Sequence, residues 1–303
     1  GDASNGTGFH AFDDNSEHVR LAIFEPKGYP EVLLADLTAY CEARNIMGVM
    51  PTPMFTTGYN AIDFRNFTGV YNIGMPAVSS WKVRLLYGDL QILHPQTNRP
   101  IVLHCIADWV GAMAKKDSTS GVWFSESGTV RGKVSNTHGV IYNLGTRQSE
   151  GNEVDAAGIN ICKTSSSFGT LLWGDSTLYK TDSMLQRAGV AELALYLLRN
   201  TRILLEPFIF APNDAQTWQS MWRKLTAWLD GIVAARGIYS YIYEGDQNAT
   251  SPNDVTLNTA ADIANGIFKI RLTVYPISAL KYIGVEIGIS KAGTTVSIID
   301  STF

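Results

Sequence analysis

The stretch FIFAPNDAQTWQSMW, at Phe208–Trp222, decides how the second half of the chain folds. An apolar triplet runs into Ala-Pro-Asn-Asp, and two tryptophans then stand four residues apart. Asn213 or Asp214 can cap a helix here by accepting a backbone N–H, and Gln216 can reach back from the first turn. We therefore predict that a long helix begins at this cap.

The apolar residues beyond the cap fall on one stripe of the predicted helix. The stripe consists of Trp218, Met221, Trp222, Leu225, Leu229, Ile232 and Val233. Burying side chains of this number and size contributes on the order of 10–20 kcal/mol gross, as an upper value. The alternative is an aromatic platform for a ligand, but this magnitude favours a helix of the core.

Composition and charge exclude several classes of partner. The chain has 303 residues, which is enough for two domains and a large core. Charged residues make up 17%, below the usual quarter, and the net charge is -4. No strong field therefore favours nucleic acid or an anionic membrane, and no apolar run reaches membrane-spanning length. We expect neither nucleic-acid binding nor membrane insertion.

Cysteines and histidines are present, but their spacing in the sequence does not match that of metal ligands. The three cysteines are Cys41, Cys105 and Cys162. They are far apart and form no Cys-x-x-Cys pair, so we predict buried, reduced thiols and no disulfide framework. The five histidines are His10, His18, His94, His104 and His138. None belongs to a His-x-x-x-His pair, so we predict no zinc site and no cofactor.

An acidic segment, YEGDQNATSPND, lies beyond the predicted long helix. Its carboxylates are Glu244, Asp246 and Asp254. Their spacing fits no EF-hand, so a turn-rich loop is preferred over a calcium site.

The first half of the chain begins with a crossover pattern. Val19–Pro26 predicts a buried strand, and the following helical segment places Leu33, Leu37 and Tyr40 on one face. Asn45–Pro53 then predicts a second strand. A strand, a helix and a strand within about 35 residues predict a crossover unit with a parallel pair of strands.

In the middle of the chain, alternating apolar residues indicate strands and turn-forming residues indicate where they end. Trp81–Pro100 predicts strands and a hairpin, and Ile106–Asp117 predicts a helix. Residues 55–80 predict a long connection with a short helix, and residues 145–158 a flexible connection. Gly169–Tyr179 predicts a strand.

The C-terminal part combines helices with strands. Met184–Leu205 predicts a long helical run that precedes the capped helix. Three alternating apolar runs, at 267–276, 282–290 and 294–300, predict strands of one antiparallel sheet.

Two short motifs resemble parts of hydrolase active sites. Gly174-Asp175-Ser176 resembles the nucleophile block of one esterase class, but no Asp-x-x-His block follows. Thr137–Val140, THGV, resembles the histidine block of subtilisin-like proteases, but their Gly-Thr-Ser block is absent. We predict no catalytic residues, and a hydrolase that uses Ser176 or His138 stays as the rival hypothesis.

An ordered series of motifs resembles the contractile tail sheath protein of myovirus-type phages, with a giant-phage character. The resemblance covers roughly residues 19–290. It is carried by Gly121-Val122-Trp123 after Asp117, Gly158-Ile159-Asn160, Trp173-Gly174, and Pro212-Asn213-Asp214 with Trp218. Two departures exist: Ser176 replaces an arginine of the family, and GVAELALYLL in the long helix lacks the family's arginine pair.

The resemblance implies a fold of two parts. After a flexible start at residues 1–18, an α/β domain with a subtilisin-like topology and no catalytic triad is expected over residues 19–178. A smaller C-terminal α+β domain with an antiparallel sheet is expected over residues 179–303.

The resemblance also implies a structural, non-enzymatic function in the virion, after assembly in the host cytoplasm. Sheath subunits form stacked hexameric rings around a tail tube, meet a baseplate and a tail terminator, and contract to drive the tube through the host envelope. The strand-rich tail, Ile267–Ile299, is our candidate docking sheet for strands of a neighbour. A sheath of a bacterial contractile injection system or tailocin is the alternative.

Overall fold

A computed structural model describes residues 7–13, 20–25, 28–244, 257–279, 285–291 and 294–300. Its helices are α1 Pro30–Arg44, α2 Gly58–Asn66, α3 Ile106–Thr119, α4 Gly128–Arg131, α5 Gln148–Ala156, α6 Ala188–Leu205, α7 Ala215–Ala234 and α8 Ala260–Ala264. Its strands are β1 Arg20–Ala22, β2 Met47–Pro51, β3 Val83–Tyr87, β4 Asp89–Leu93, β5 Pro100–His104, β6 Gly139–Val140, β7 Ile159–Ser165, β8 Gly169–Trp173, β9 Ile238–Glu244, β10 Arg271–Pro276, β11 Val285–Lys291 and β12 Thr294–Asp300.

A five-stranded mixed sheet in the order β1-β2-β3-β7-β8 forms the centre of the fold. The first four strands run parallel, and β8 returns antiparallel to β7 at one edge. The connection from β1 through α1 to β2 places Arg20 opposite Met47. The predicted crossover with a parallel pair is confirmed.

Helices cover both faces of this sheet, as expected for parallel strands buried on both sides. On one face α1, α2 and α5 contribute Leu34, Leu37, Phe64 and Val154 to an apolar cluster. On the other face α3 and α6 supply a second cluster, which includes Trp109 and Leu195. The core is therefore two apolar layers separated by one sheet.

A smaller sheet of order β5-β4-β6 continues from the end of β3. The antiparallel pairing of β4 with β5 confirms the predicted hairpin. Gly88 makes the turn from β3 into β4 with φ of +134°, and a Cβ there would lie 2.9 Å from the Cβ of Cys162. Both the positive φ and the close approach to Cys162 therefore require glycine at this position.

Helix α7 begins as its sequence predicts. Asp214 is the N-cap, and its Oδ1 accepts the Thr217 N–H at 2.9 Å. The stripe buries five side chains, namely Trp218, Met221, Leu225, Leu229 and Ile232. Trp222 and Val233 are only partly buried. Leu229 and Ile232 join Leu193 and Leu197 of α6 in a third apolar cluster beneath β9 and β10.

Two predictions about local structure are wrong. Residues 148–156 of the predicted flexible connection form α5, because Val154 is buried and Glu150 accepts hydrogen bonds from Tyr142 Oη and the Tyr59 N–H. The predicted strand Gly169–Tyr179 ends at Trp173. Gly174 there adopts φ of +136°, which takes the chain out of the sheet.

The predicted single antiparallel sheet of the tail is also wrong. Strand β10 pairs with β9, a strand that the sequence analysis did not assign, and β11 pairs with β12. Each pair is a separate two-stranded antiparallel sheet.

The expected division at residue 178 and the subtilisin-like topology stay predictions. Helix α6 contributes to the second cluster through Ala191 and Leu195, and to the third through Leu193 and Leu197. Within the predicted flexible start, Gly8–Phe12 form a 3-10 helix. Among the described helices, none is long and apolar enough to span a bilayer.

Candidate functional site

The two hydrolase-like motifs lie in different places in the fold. Ser176 is buried just beyond β8, where its N–H and its carbonyl oxygen both bond to the Asn160 side chain at 2.8 Å. His138 is exposed at the start of β6, and its N–H donates to the Gln91 carbonyl oxygen at 2.8 Å. Within the described residues no hydrogen bond joins the Ser176 and His138 side chains, so these two motifs do not form the nucleophile–base pair of the rival hypothesis.

A thiol and an imidazole meet elsewhere, at a pair that the sequence analysis passed over. Cys105 Sγ lies 3.8 Å from His104 Nδ1 behind β5. Burial raises the pKa of the Cys105 thiol, and burial lowers the pKa of His104 to about 4. Both shifts favour neutral groups, which is the opposite of an activated thiolate beside an imidazolium. This arrangement is typical of inert core packing.

All three cysteines are free and buried, as predicted. In the described ranges, no three His, Cys, Asp or Glu side chains are grouped as metal ligands. Glu244 instead pairs with Arg271 at 3.0 Å across β9 and β10. Asp246, Asp254 and His18 lie outside the described residues.

Asn160 of β7 ties three segments together. Its Nδ2 donates to the Leu85 carbonyl of β3 at 3.1 Å and to the Ser176 carbonyl at 2.8 Å. A Cβ at Gly174 would lie 2.7 Å from Asn160 Oδ1, so only glycine fits beside this amide. The Gly-Ile-Asn and Trp-Gly motifs therefore form one structural clasp at the amino end of β7, where the antiparallel strand β8 ends.

Trp123 connects the central sheet's helical layer to the C-terminal helices. Its Nε1 donates to the Ala235 carbonyl oxygen beyond α7 at 3.2 Å. Its ring meets Tyr196 of α6 at a centroid distance of 6.0 Å, edge to face. Gly237 approaches this ring so closely that a Cβ would lie 2.8 Å from it.

The capped stretch at the start of α7 makes a second tie. Asn213 Oδ1 accepts from Trp218 Nε1 at 2.7 Å, and Asn213 Nδ2 donates to the Ile263 carbonyl of α8 at 3.1 Å. The Trp218 ring stacks on Phe268 with an interplanar angle of 6°. The polar edge and the face of this tryptophan are both used by the protein itself, so the prediction of a core helix holds.

A buried network of ion pairs lies between the sheet and the layer of α3 and α6. Glu192 of α6 is its centre: its carboxylate lies 2.6 Å from Arg20 Nη2, 2.6 Å from Lys116 Nζ and 3.3 Å from Arg84 Nη1. Glu126 also bonds to Arg84 and lies 3.3 Å from Lys116 Nζ. The members are Arg20 of β1, Arg84 of β3, Lys116 and Asp117 of α3, Glu126 and Glu192.

Burial and charge act in opposite directions on this network. Burial alone would raise the pKa of Glu192, but the charges of Lys116 and Arg20 outweigh it and lower the pKa to about 2. Arg84 is fully buried and also lies over the Trp109 ring at 5.5 Å. The network contains three cations and three carboxylates, so its formal charges balance.

Asp175 is a fourth carboxyl group beside this balanced set. Its Oδ1 accepts the Gly189 N–H at 3.1 Å, at the start of α6. Burial and the charge of Glu126 raise the pKa of Asp175 to about 6. An ionised Asp175 would leave the network with one negative charge too many.

Replacement of Asp175 by asparagine is expected to stabilise the protein at pH 7, by on the order of 1–3 kcal/mol. The asparagine side chain would keep an oxygen for the Gly189 N–H, whereas the penalty for ionising a buried carboxyl group would disappear. Because the folded pKa exceeds the unfolded one, the wild-type protein loses stability as pH rises from about 4 to about 6. The gain of the variant should therefore grow through this window in urea unfolding measured at several pH values.

Asp182→Asn is the matched control for this prediction, because Asp182 is exposed. It should change the free energy of unfolding by no more than about 0.5 kcal/mol. A variant at Asp175 that destabilises the protein at pH 7, or a gain that is equal at both ends of this range, would contradict the assignment.

The sequence analysis did not identify the network, although a signal was present. Arg20, Arg84 and Glu192 each stand as lone charges inside apolar runs, and fully buried charges are rare unless they are paired. Glu192 lies within GVAELALYLL, the segment that departs from the family's arginine pair. The central residue of the ion network therefore lies in the segment that differs from the family pattern.

Proteins of similar sequence or similar fold include a tail sheath protein and chains of contractile assemblies. No protein-family model matches the sequence. The tail sheath protein of Enterobacteria phage T4 is 28% identical over 177 residues, which is 58% of this chain and 25% of that protein. The chain thus spans about a quarter of the length of this relative.

Two solved assemblies contain chains of similar fold. A chain of the anti-feeding prophage baseplate has a TM-score of 0.71 and 17% identity, covering 92% of this chain and 71% of its own. A chain of the contracted anti-feeding prophage helical sheath has a TM-score of 0.66 and 20% identity, covering 90% and 70%.

The layered sheet, with its clasp at Asn160 and its C-terminal helices, has the fold of contractile sheath proteins. The resemblance to contractile tail sheath proteins is confirmed by this fold and by the sequence relation. In particular, the sequence is related to the tail sheath protein of phage T4.

Proposed function

We propose that the chain is a structural subunit of a phage contractile tail sheath. It polymerises as stacked hexameric rings around a tail tube in the virion and contracts to drive the tube through the host envelope. The observation that carries the proposal is the sequence relation to a tail sheath protein in a chain with the fold of contracted sheath subunits. The tail tube, the baseplate and a tail terminator are the proposed partners, with assembly in the host cytoplasm.

Contraction requires rigid subunits and interfaces with two discrete packings of different free energy. The buried ion network and the three apolar clusters supply the rigid body. No chemical step is needed, and we propose that the chain has no enzymatic activity. The backbone of Ser176 is hydrogen-bonded to the Asn160 side chain, and burial raises the pKa of the Cys105 thiol, which favours its neutral form.

The sheet of β9 and β10 is the proposed docking surface for a neighbour's strands. In the part of the chain that is described, β10 pairs with β9 alone, so an edge of backbone donors and acceptors is available. Ile242 and Tyr275 are 47% and 48% exposed on this sheet. Addition of a strand would satisfy the free edge and cover part of this apolar surface.

Amide hydrogen exchange on the natural full-length protein, before and after polymerisation, tests this proposal. Exchange over Ile267–Val274 should slow in ordered tubes that negative-stain images confirm. The strand Val83–Tyr87 is the internal control, because it is already buried and paired on both sides. Tubes in which Ile267–Val274 still exchanges rapidly would exclude the docking sheet, and a protein that never forms sixfold tubes would exclude the sheath function.

A second candidate is a sheath of a bacterial contractile injection system or tailocin. It is favoured by the similarity to a sheath chain of an extracellular contractile injection system, with a TM-score of 0.67. Neighbouring capsid genes would separate the two, because only a phage encodes a capsid. The hydrolase hypothesis requires ester or peptide hydrolysis that Ser176→Ala abolishes.

A further inference from the structure

A polar cleft of about 300 Å³ opens at the amino end of the parallel strands β3 and β7 of the central sheet. The ends of α2 and α5 form one wall, and the segment that leads from β8 to α6 forms the other. Its charged lining residues are Arg65, Asp155, Lys180 and Arg187. Three cations thus face one carboxylate across a space large enough for a small ion.

Arg65 is the unusual member of this set. It is 5% exposed, and its guanidinium donates to three neutral oxygens: the Ala157 carbonyl, the Leu178 carbonyl at 3.2 Å and Asn66 Oδ1 at 3.0 Å. None of these three acceptors carries a formal charge. Burial lowers the pKa of Arg65, and no carboxylate charge offsets that cost.

Arg84, which is also buried, shows the contrast. Arg84 has two carboxylate partners, Glu126 and Glu192. Buried charges are normally paired, because leaving one unpaired costs several kcal/mol. The Ala157 carbonyl oxygen at the end of α5 gives Arg65 only the partial negative charge of a helix terminus. A full counter-charge for Arg65 is missing from its surroundings.

Lys180 and Arg187 add to the positive charge of the cleft. Lys180 is exposed and Arg187 is partly exposed, so both can reach an ion that enters from solvent. The pKa of Lys180 is lowered by burial and by the charge of Arg65, which places the two cations within electrostatic reach of each other. An anion between them would relieve this repulsion.

We propose that this cleft is a binding site for an oxyanion, a phosphate or a carboxylate. Lys180 and Arg187 would donate charge-assisted hydrogen bonds to it, and the buried Arg65 would supply the field that draws it in. Two sources have this chemistry: a free phosphate-type anion, and a carboxylate side chain of a second copy of the chain. Neither source depends on the chain being a sheath subunit.

Titration of the natural protein with inorganic phosphate, at constant ionic strength, tests the first source by calorimetry. The wild-type protein should bind phosphate saturably. Lys180→Gln/Arg187→Gln should bind it at least about tenfold more weakly, because it loses two charge-assisted bonds. The control Lys115→Gln/Arg223→Gln removes two exposed helical cations outside the cleft and should bind like wild type.

Self-association tests the second source. If phosphate does not bind saturably, the double variant at Lys180 and Arg187 should abolish self-association in sedimentation while the control variant retains it. If the double variant melts early, both measurements are repeated on the single variant Lys180→Gln, because the Lys180 side chain is exposed. Absence of saturable phosphate binding together with normal self-association of the variants would overturn the proposal, even if the protein forms tubes.

Discussion

Replacement of Glu192 by alanine is expected to lower the free energy of unfolding by about 3–5 kcal/mol. The variant leaves the buried Arg84 and Lys116 and the partly buried Arg20 with two remaining carboxylates, Asp117 and Glu126. Removing one partner of a buried ion pair costs far more than the pair itself contributes. Urea unfolding at pH 7, followed by circular dichroism, measures the loss.

The pH dependence gives this prediction a second readout. The pKa of Glu192 lies at about 2 in the folded protein, below its ordinary value of 4.5. Its contribution is therefore fully present above pH 4.5 and is lost as pH falls towards 2. The difference between the wild-type protein and Glu192→Ala should shrink over that range.

Glu153→Ala is the matched control, because Glu153 is an exposed glutamate in the helix α5. Its effect should stay within about 0.5 kcal/mol. Equal losses from Glu192→Ala and Glu153→Ala would show that the network contributes no stability. Glu192→Gln retains the shape and removes the charge, so it should lie closer to alanine than to wild type.

Replacement of Leu229 by alanine is expected to cost about 2–5 kcal/mol. Leu229 of α7 is fully buried in the third cluster, beside Leu193 and Leu197 of α6 and Ile238 of β9. Truncation removes apolar contact and leaves a cavity between two long helices and the outer sheet. Thermal and urea unfolding of the full chain measure the loss.

Leu198→Ala is the control in the neighbouring helix, since Leu198 of α6 is 55% exposed. We expect a change of no more than about 0.5 kcal/mol from it. Comparable effects of the two leucine variants would mean that the third cluster does not hold α6, α7 and β9 together.

Local patterns in the sequence were sufficient to predict several elements. The crossover of β1, α1 and β2 and the cap at Asp214 depend on residues close together in the chain, where periodicity and capping chemistry act directly. The helix α5 was missed because its sequence is polar and its only fully buried apolar residue is Val154. Its helical form comes from tertiary contacts of Val154 and Glu150.

The candidate sites could not be predicted in the same way. Arg20 and Glu192 are 172 positions apart, so nothing in the local sequence joins them. Arg65 and Lys180 are likewise brought together by α2 and the segment after β8. Lone charges in apolar runs indicate that partners must exist, but only the packing of β1, β3 and α6 identifies them.

Helix α6 has a mechanical consequence. Successive positions serve different neighbours: Ala191 and Leu195 face the sheet, Leu193 and Leu197 face α7, and Glu192 enters the ion network. Helix α6 therefore links the outer strands β9 and β10, through the third cluster, to the central sheet, through the second. We expect the subunit to rotate as one rigid body under load. An assembly of subunits would then shorten because neighbouring subunits slide past each other.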